Sequence, residues 1–82
     1  MKSVLILEDV SETLQWLGEI AAEAFPGCGV TGASTVRDAL AAMDRHVFDL
    51  ALIDLRLPDG SGLDVLRQLR VNSPDTICVV TT

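Results

Sequence analysis

Three acidic residues stand directly after short apolar runs that are typical of buried strands. Glu8 and Asp9 follow the run 4–7, and Asp54 follows the run 48–53. In an open α/β sheet, ligands bind outside the carboxyl ends of the parallel strands. We therefore expect the three carboxylates to meet at one edge of a sheet.

Clustered carboxylates repel one another unless a cation lies among them, and an all-oxygen site suits Mg²⁺. Mg²⁺ in proteins also binds phosphate oxygens, and a shielded aspartate can attack phosphorus to form an aspartyl phosphate. Thr81 and Thr82, at the end of a fourth apolar run, would add hydroxyl groups to the same crevice. The pattern favours a metal-dependent phosphoryl site with Asp54 as the nucleophile.

These acidic residues also have a purely structural interpretation. Acidic side chains at strand ends often start loops or cap helices, and for Glu8, Asp9 or Asp54 taken singly this is the more common case. The three together, an acidic pair after one strand and a single Asp after another, favour the metal site.

Five further residues of reactive, aromatic or sulfur-containing type have structural explanations. His46 is expected on the surface near a helix end, where the helix dipole favours an imidazole. Trp16 and Met43 fall on predicted helices, where packing or partial exposure accounts for them. Cys28 and Cys78 fall in the second and fourth predicted strands and are expected to be small core residues rather than a disulfide.

The elements that position these residues alternate between strand and helix. The predicted strands are 4–7, 28–31, 48–53 and 76–82. The predicted helices begin near Val10, after the pair 34–35 and at Ser61, and they end at 25–27, near His46 and at 72–75. The segment 55–62 is predicted to be a loop. The order βαβαβαβ requires a parallel sheet with right-handed crossovers, so the fold class is α/β.

Apolar residues at helical spacing predict which face of each helix packs on the sheet. The predicted faces are Val10, Leu14, Leu17, Ala21 and Ala24 in the first helix, Val36, Ala39, Leu40 and Met43 in the second, and Leu63, Leu66 and Leu69 in the third. Ser34 or Thr35 with Asp38, and Ser61 with Asp64, are predicted caps.

The composition restricts the classes of function. The chain has 82 residues and a formal net charge of -6, without a basic run, so we expect no binding of nucleic acid or anionic lipid through it. No apolar run approaches the roughly 20 residues of a membrane span. The N-terminal apolar run is too short for a signal peptide. One cytoplasmic domain, without membrane association, is expected.

Three motifs give the sequence a resemblance to a known family. They are VLILED at 4–9, DLALIDLRLPDGSG at 49–62 and VVTT at 79–82. In order and spacing they resemble the receiver domain of bacterial two-component response regulators. This resemblance implies a flavodoxin-like sheet of order 2-1-3-4-5. The chain would supply strands 2-1-3-4 as a partial receiver domain over residues 1–82.

The resemblance also implies a metal site and a modified residue. Asp54 would be the phosphoacceptor and a metal ligand. Asp9 would bind Mg²⁺ directly, Glu8 directly or through a water, and Arg56 through its backbone carbonyl. Mn²⁺ is an alternative ion.

Residues around that site receive roles by the same resemblance. Thr81 would bind a phosphoryl oxygen once Asp54 is modified. Pro58 and Gly60 would shape the loop above the site, and the side chain of Arg56 would tune the lifetime of the phosphoryl group.

The resemblance further implies parts that the printed sequence does not contain. A complete receiver continues through a fourth helix, a fifth strand with a catalytic Lys and a fifth helix, whereas Lys2, before the first strand, is the single lysine here. We therefore expect these 82 residues to switch poorly or not at all. The exposed fourth strand or the uncovered sheet face is expected to favour a homodimer.

The implied function is signal transduction. A sensor histidine kinase or a phosphotransfer protein would supply the phosphoryl group, and an output domain beyond residue 82, which could bind DNA to regulate transcription, would respond. The domain would assist its own phosphorylation and dephosphorylation without being a stand-alone enzyme.

Two other classes remain open. A phosphatase of the haloacid dehalogenase type also uses an aspartyl nucleophile after a parallel strand, but that family requires Asp-x-Asp, and Arg56 occupies the second position. A receiver-like module could instead bind partners without phosphorylation.

Overall fold

A computed structural model describes residues 1–81 as a parallel sheet with helices on both faces. The sheet strands are β1 (Ser3–Leu7), β2 (Gly29–Ala33), β3 (Leu50–Ile53) and β6 (Ile77–Val80), and a small hairpin adds β4 (Arg56–Leu57) and β5 (Gly60–Ser61). The helices are α1 (Ser11–Ala24), α2 (Val36–Arg45) and α3 (Gly62–Asn72). The sheet order β2-β1-β3-β6 confirms the predicted flavodoxin-like arrangement of the first four strands.

Strand β1 is the centre of the core. Its residues Val4, Leu5, Ile6 and Leu7 are all fully buried, because successive side chains point to opposite faces and both faces are covered. Leu5 and Leu7 pack in the larger core cluster, which includes residues of α2 and α3. Val4 and Ile6 pack in a smaller cluster with Ala21 of α1.

The second and fourth strands differ in extent from their predictions. Strand β2 continues through Gly32 to Ala33, because the pairs Ile6–Gly32 and Leu7–Ala33 extend its ladder with β1. Gly32 lies close under α1: a Cβ there would be 3.2 Å from Leu14 Cδ1. Strand β6 is shorter than the predicted 76–82, and Thr82 lies outside the described residues.

The two cysteines lie on opposite faces of the sheet. Cys28 precedes β2 and packs on the cluster under α1, whereas Cys78 packs on the cluster under α2 and α3. Both are half-buried and have free thiols. Because β2 begins at Gly29, the predicted placement of Cys28 in the second strand was wrong by one residue.

The packing face of α2 follows the prediction, but the faces of α1 and α3 differ from it. In α3 the fully buried side chain is Val65, whereas Leu63 is 41% exposed. The helix begins at Gly62, so the buried positions are Gly62, Val65 and Leu69. In α1 both ends of the predicted stripe, Val10 and Ala24, are exposed.

Both predicted helix caps are present, and one of them has a different partner from the predicted one. The Thr35 hydroxyl accepts the Asp38 N–H at 3.0 Å, so Thr35 rather than Ser34 caps α2. The Ser61 hydroxyl accepts the N–H of Leu63 at 3.1 Å rather than that of Asp64. None of the helices among residues 1–81 is long and apolar enough to cross a membrane.

The segment 55–62, which was predicted to be a loop, contains a short hairpin. Strands β4 and β5 pair antiparallel, with Arg56 opposite Ser61 and Leu57 opposite Gly60. Gly60 has φ 152°, a conformation that only glycine adopts readily. We call residues 55–62 the site hairpin, because it begins directly after Asp54.

Candidate functional site

The sheet brings the three predicted acidic residues together. One carboxylate oxygen each from Glu8, Asp9 and Asp54 lies within 4.8 Å of the others, and we call these residues the acidic cluster. Backbone hydrogen bonds set the geometry, because the Asp54 N–H donates to the Leu7 carbonyl at 2.9 Å and the Thr81 N–H to the Ile53 carbonyl at 2.8 Å. The parallel ladder thus fixes the cluster at the carboxyl end of the sheet, with Thr81 beside it.

The three carboxylates differ in environment. Glu8 is buried, Asp54 is half-buried and Asp9 is exposed. Burial raises the pKa of Glu8 to about 7, and a hydrogen bond shared with Asp54 and the negative charges of Asp54 and Asp9 act in the same direction. Without a cation, the cluster therefore holds a proton on Glu8 near neutral pH.

Asp54 is the carboxylate that is kept ionised. Its pKa lies below the ordinary value, mainly because the Arg56 N–H donates to Oδ1 at 3.0 Å and because the protonated Glu8 can donate to it. The bond from Arg56 spans two residues, as in an Asp that starts a loop. Asp54 therefore does start the loop, as the structural interpretation expects. Because its carboxylate is also ionised, this role does not prevent it from acting as a nucleophile.

The acidic cluster opens into a cleft of about 310 Å³. The cleft is lined by Glu8, Asp54, Thr81, Thr13, Trp16 and Leu17. Trp16 is 59% exposed and is the single tryptophan of the chain. The sequence interpretation assigned it to packing or partial exposure and did not place it beside the acidic residues, because the helical periodicity of α1 does not reveal which turn of the helix reaches the sheet edge.

The site hairpin is closed tightly against Asp54. The Gly62 N–H donates to the Leu55 carbonyl at 3.1 Å, so the two ends of the hairpin meet. A Cβ on Gly62 would lie 2.2 Å from the backbone oxygen of Asp54. Pro58 is exposed at the turn beside Gly60, and the side chain of Arg56 is exposed on β4.

The cluster fits a hard divalent cation. Its donors are carboxylate oxygens, which are the ligands of Mg²⁺. The single ion pair among residues 1–81 joins Arg67 to Asp64 on α3, so no basic side chain within 4.0 Å neutralises the cluster. Lys2 precedes β1 and lies at the opposite end of the sheet. Burial is the main cause of the raised pKa of Glu8, and the negative charges of Asp54 and Asp9, which a cation would offset, add to it.

His46 is a surface residue, as the sequence predicted. It follows α2, and its side chain is exposed. Its backbone N–H donates to the Ala42 carbonyl at 3.0 Å. Its ring contacts Phe48 edge to face.

Asp59 is the residue with a defined role near the site that sequence reasoning missed. Its carboxylate accepts N–H groups from Val36 and Arg37, far away in the sequence. The run Pro58-Asp59-Gly60 resembles an ordinary turn. Only the fold places that turn at the start of α2.

Comparison with known proteins decides the family. The model of the response regulator receiver domain family matches residues 4–82. The chain belongs to this family. It is thus a receiver domain, the signalling domain of two-component response regulators, and the predicted family is confirmed.

Relatives extend well beyond the receiver domain. The alginate biosynthesis transcriptional regulatory protein AlgB of Pseudomonas aeruginosa is 38% identical over 79 residues, which are 96% of this chain and 17% of AlgB. The chain therefore spans about a sixth of that relative's length.

Solved receiver structures share the fold. A CheY-like receiver domain protein from Methanospirillum hungatei superimposes with a TM-score of 0.88 at 29% identity, covering 98% of this chain and 62% of that one. The response regulator TrrA of Thermotoga maritima, solved in complex with Mg²⁺ and BeF, gives a TM-score of 0.81 at 26% identity, covering 98% of this chain and 66% of TrrA.

Proposed function

We propose that this receiver domain accepts a phosphoryl group on Asp54 in a Mg²⁺-dependent reaction and so receives the signal of a two-component system. The observation that carries the proposal is the acidic cluster, in which three carboxylates lie within 4.8 Å of one another and, among residues 1–81, form no ion pair within 4.0 Å of a basic side chain. The Mg²⁺ and BeF complex of the related TrrA supports the same assignment.

The residues of the chain would divide the work as follows. Asp9, Asp54 and the backbone carbonyl of Arg56 would hold the ion, with Glu8 as a direct or water-mediated ligand; Mn²⁺ is an alternative. When bound, the cation supplies positive charge that shields the phosphoryl oxygens from the carboxylates. Glu8 must lose its proton for this arrangement to form.

Asp54 would act as the nucleophile. Its Oδ1 is held by the Arg56 N–H, which leaves Oδ2 for the attack on phosphorus. The Oδ2–P bond forms while the P–N bond of a phosphohistidine breaks, and the imidazole leaves as the neutral group after taking up a proton. The Thr81 hydroxyl, at the edge of the cleft, would then donate to a phosphoryl oxygen.

The remaining predicted residues would shape the site. Pro58 and Gly60 define the turn of the site hairpin, and the exposed Arg56 side chain would influence how fast water removes the phosphoryl group. Lys2 lies at the far end of the sheet, so it cannot take the part of the family's catalytic Lys. We therefore propose that residues 1–82 by themselves switch poorly.

Incubation with acetyl phosphate tests this function. We expect the mass of one phosphoryl group to be added in the presence of Mg²⁺ and not with EDTA, and peptide mapping to locate it at residue 54. A chain that folds and binds Mg²⁺ but takes no label would instead support the module that binds partners without phosphorylation. Label that forms equally in EDTA would also contradict the proposal.

The partner and the setting follow from the same proposal. The donor would be a sensor histidine kinase or a phosphotransfer protein, and the longer protein would regulate transcription, as the name of AlgB indicates for that relative. The domain would be cytoplasmic. Because its net charge is -6, it would not contact nucleic acid itself. It would promote its own modification without being a stand-alone enzyme.

The affinity for Mg²⁺ is expected to fall as the pH falls below 7. The pKa of Glu8 is raised to about 7, so below that pH the ion must displace a proton, and the affinity should drop about tenfold per pH unit. Titrations followed by Trp16 fluorescence between pH 5 and 8 measure this. Glu8→Gln should bind more weakly at pH 8 and lose the dependence near 7; an unchanged profile in that variant would contradict the assignment.

We also propose that the 82-residue chain self-associates through the free edge of β6. Among residues 1–81, β6 pairs only with β3, and its side chains Ile77, Val79 and Val80 are 54%, 44% and 43% exposed. Sedimentation should show dimers that increase with concentration, and Val79→Lys should shift the population towards monomer. A monomer at high concentration would refute this association.

A further inference from the structure

The geometry points to Asp59 as a positioning residue: by tying the site hairpin to the first turn of α2, it holds the Arg56 backbone in place beside Asp54. This inference rests on the proposed function, since the Arg56 backbone would be both a hydrogen-bond donor to Asp54 and a metal ligand. Asp59 itself would touch neither the ion nor the phosphoryl group.

The first step of the argument is the pair of hydrogen bonds at the start of α2. The Val36 N–H donates to Asp59 Oδ1 at 2.9 Å, and the Arg37 N–H donates to Oδ2 at 3.1 Å. These are the first two N–H groups of the helix, which have no carbonyl partner within it. The same two bonds hold the pKa of Asp59 below its ordinary value, so the carboxylate is ionised at neutral pH and also complements the helix dipole.

The second step is that Asp59 adds a long-range cap to a local one. Thr35 already caps α2 locally by accepting the Asp38 N–H. Asp59 is 22 and 23 residues away from its two donors, and it satisfies them from another loop. A cap of this kind joins two parts of the fold, so it restrains the hairpin as much as the helix.

The third step is that the hairpin has fixed points at both ends. At its base, the Gly62 N–H donates to the Leu55 carbonyl at 3.1 Å, and the Arg56 N–H donates to Asp54 at 3.0 Å. At its tip, Asp59 is bound to α2, and a Cβ on the neighbouring Gly60 would lie 3.7 Å from the Val36 side chain, which is ordinary contact. Arg56 lies on the strand that joins the base to the tip. Without the bonds at the tip, the hairpin would be held at its base alone.

Asp49 provides a matched control. Its carboxylate also accepts two successive backbone N–H groups, those of Lys2 and Ser3, at 2.7 and 3.2 Å. This exposed aspartate lies at the opposite end of the sheet, just before β3. Asp49→Ala therefore removes the same kind of double hydrogen bond without touching the site hairpin.

The test compares Asp59→Ala and Asp49→Ala with the wild type by two measurements. In metal-free protein, hydrogen exchange by NMR should show the Arg56 amide exchanging about tenfold faster in Asp59→Ala. Titration with Mg²⁺, followed by Trp16 fluorescence, should show an affinity about tenfold weaker, as is typical when an outer-shell partner is lost. Asp49→Ala should leave both quantities within about twofold of the wild type.

Asp59→Asn retains one oxygen acceptor and should fall between the wild type and Asp59→Ala in both measurements, which keeps the test usable if the Ala variant does not fold. Wild-type exchange at Arg56, an unchanged Mg²⁺ affinity, or equal losses in Asp49→Ala would each overturn the positioning role. If the wild type binds no Mg²⁺ while the Arg56 amide still exchanges faster in Asp59→Ala, the proposed function is wrong, but Asp59 does hold the site hairpin in place.

Discussion

Asp54→Asn is expected to abolish phosphoryl labelling by acetyl phosphate while preserving the fold. A carboxamide is not a nucleophile towards phosphorus, whereas its oxygen can still accept the Arg56 N–H that now binds Oδ1. The substitution also removes one negative charge from the acidic cluster. We therefore expect a melting temperature equal to or above that of the wild type, measured by circular dichroism without metal.

The same substitution makes a second expectation for its neighbour. A hydrogen bond shared with Asp54 and the charge of Asp54 contribute to the raised pKa of Glu8, so in Asp54→Asn the pKa of Glu8 should move down towards its ordinary range. Carboxyl NMR titration measures the shift.

Glu8→Gln is the matched control for Asp54→Asn. It removes a carboxylate from the same cluster but keeps the nucleophile. Labelling should therefore be weaker than in the wild type at low Mg²⁺ concentration and reach the wild-type level at high Mg²⁺ concentration. Labelling that persists in Asp54→Asn would show that Asp54 is not the acceptor. The conclusion would be the same if Glu8→Gln abolished that labelling at every Mg²⁺ concentration.

Gly62→Ala is expected to destabilise the protein by about 3 kcal/mol, a typical cost of forcing extra volume into a packed site. A Cβ at this position would lie 2.2 Å from the Asp54 backbone oxygen and 2.7 Å from Ile53 Cγ2. The oxygen belongs to the backbone and cannot rotate away, so the hairpin or the end of β3 must move. Urea unfolding measures the loss.

Gly18→Ala gives the comparison that isolates this contact. Gly18 lies in α1, and a Cβ there would be 3.8 Å from Val30 Cγ1, an ordinary contact. Because alanine favours the helix over glycine, this variant should gain about 1 kcal/mol. If both variants changed stability by the same amount and in the same direction, the close approach at Gly62 would not be the cause.

The acidic cluster could be predicted because local patterns determine it, whereas the strand order was implied by the resemblance to receiver domains. The apolar run 4–7 ends at an acidic pair, and the run 48–53 ends at Asp54. Parallel strands bring such ends together whatever the loops do. The caps at Thr35 and Ser61 are also local, since each hydroxyl binds an N–H two or three residues away.

The remaining features depend on contacts between distant segments. Leu63 fits the predicted stripe of α3, but the start of the helix at Gly62 directs Val65 to the sheet instead. Strand β2 extends past Gly32 because β1 offers partners there, which its own residues do not reveal. The run Pro58-Asp59-Gly60 has the composition of a turn, and only the position of α2 gives the Asp59 carboxylate two N–H donors.

The central place of β1 has a consequence for synthesis on the ribosome. The apolar residues Val4–Leu7 emerge before both strands that flank them, β2 and β3, and β3 ends only at Ile53. Until β3 is complete, the nascent chain displays an apolar segment that lacks at least one of its two partner strands, which is the kind of surface that aggregates when left exposed. Premature termination before β3 should therefore yield insoluble products.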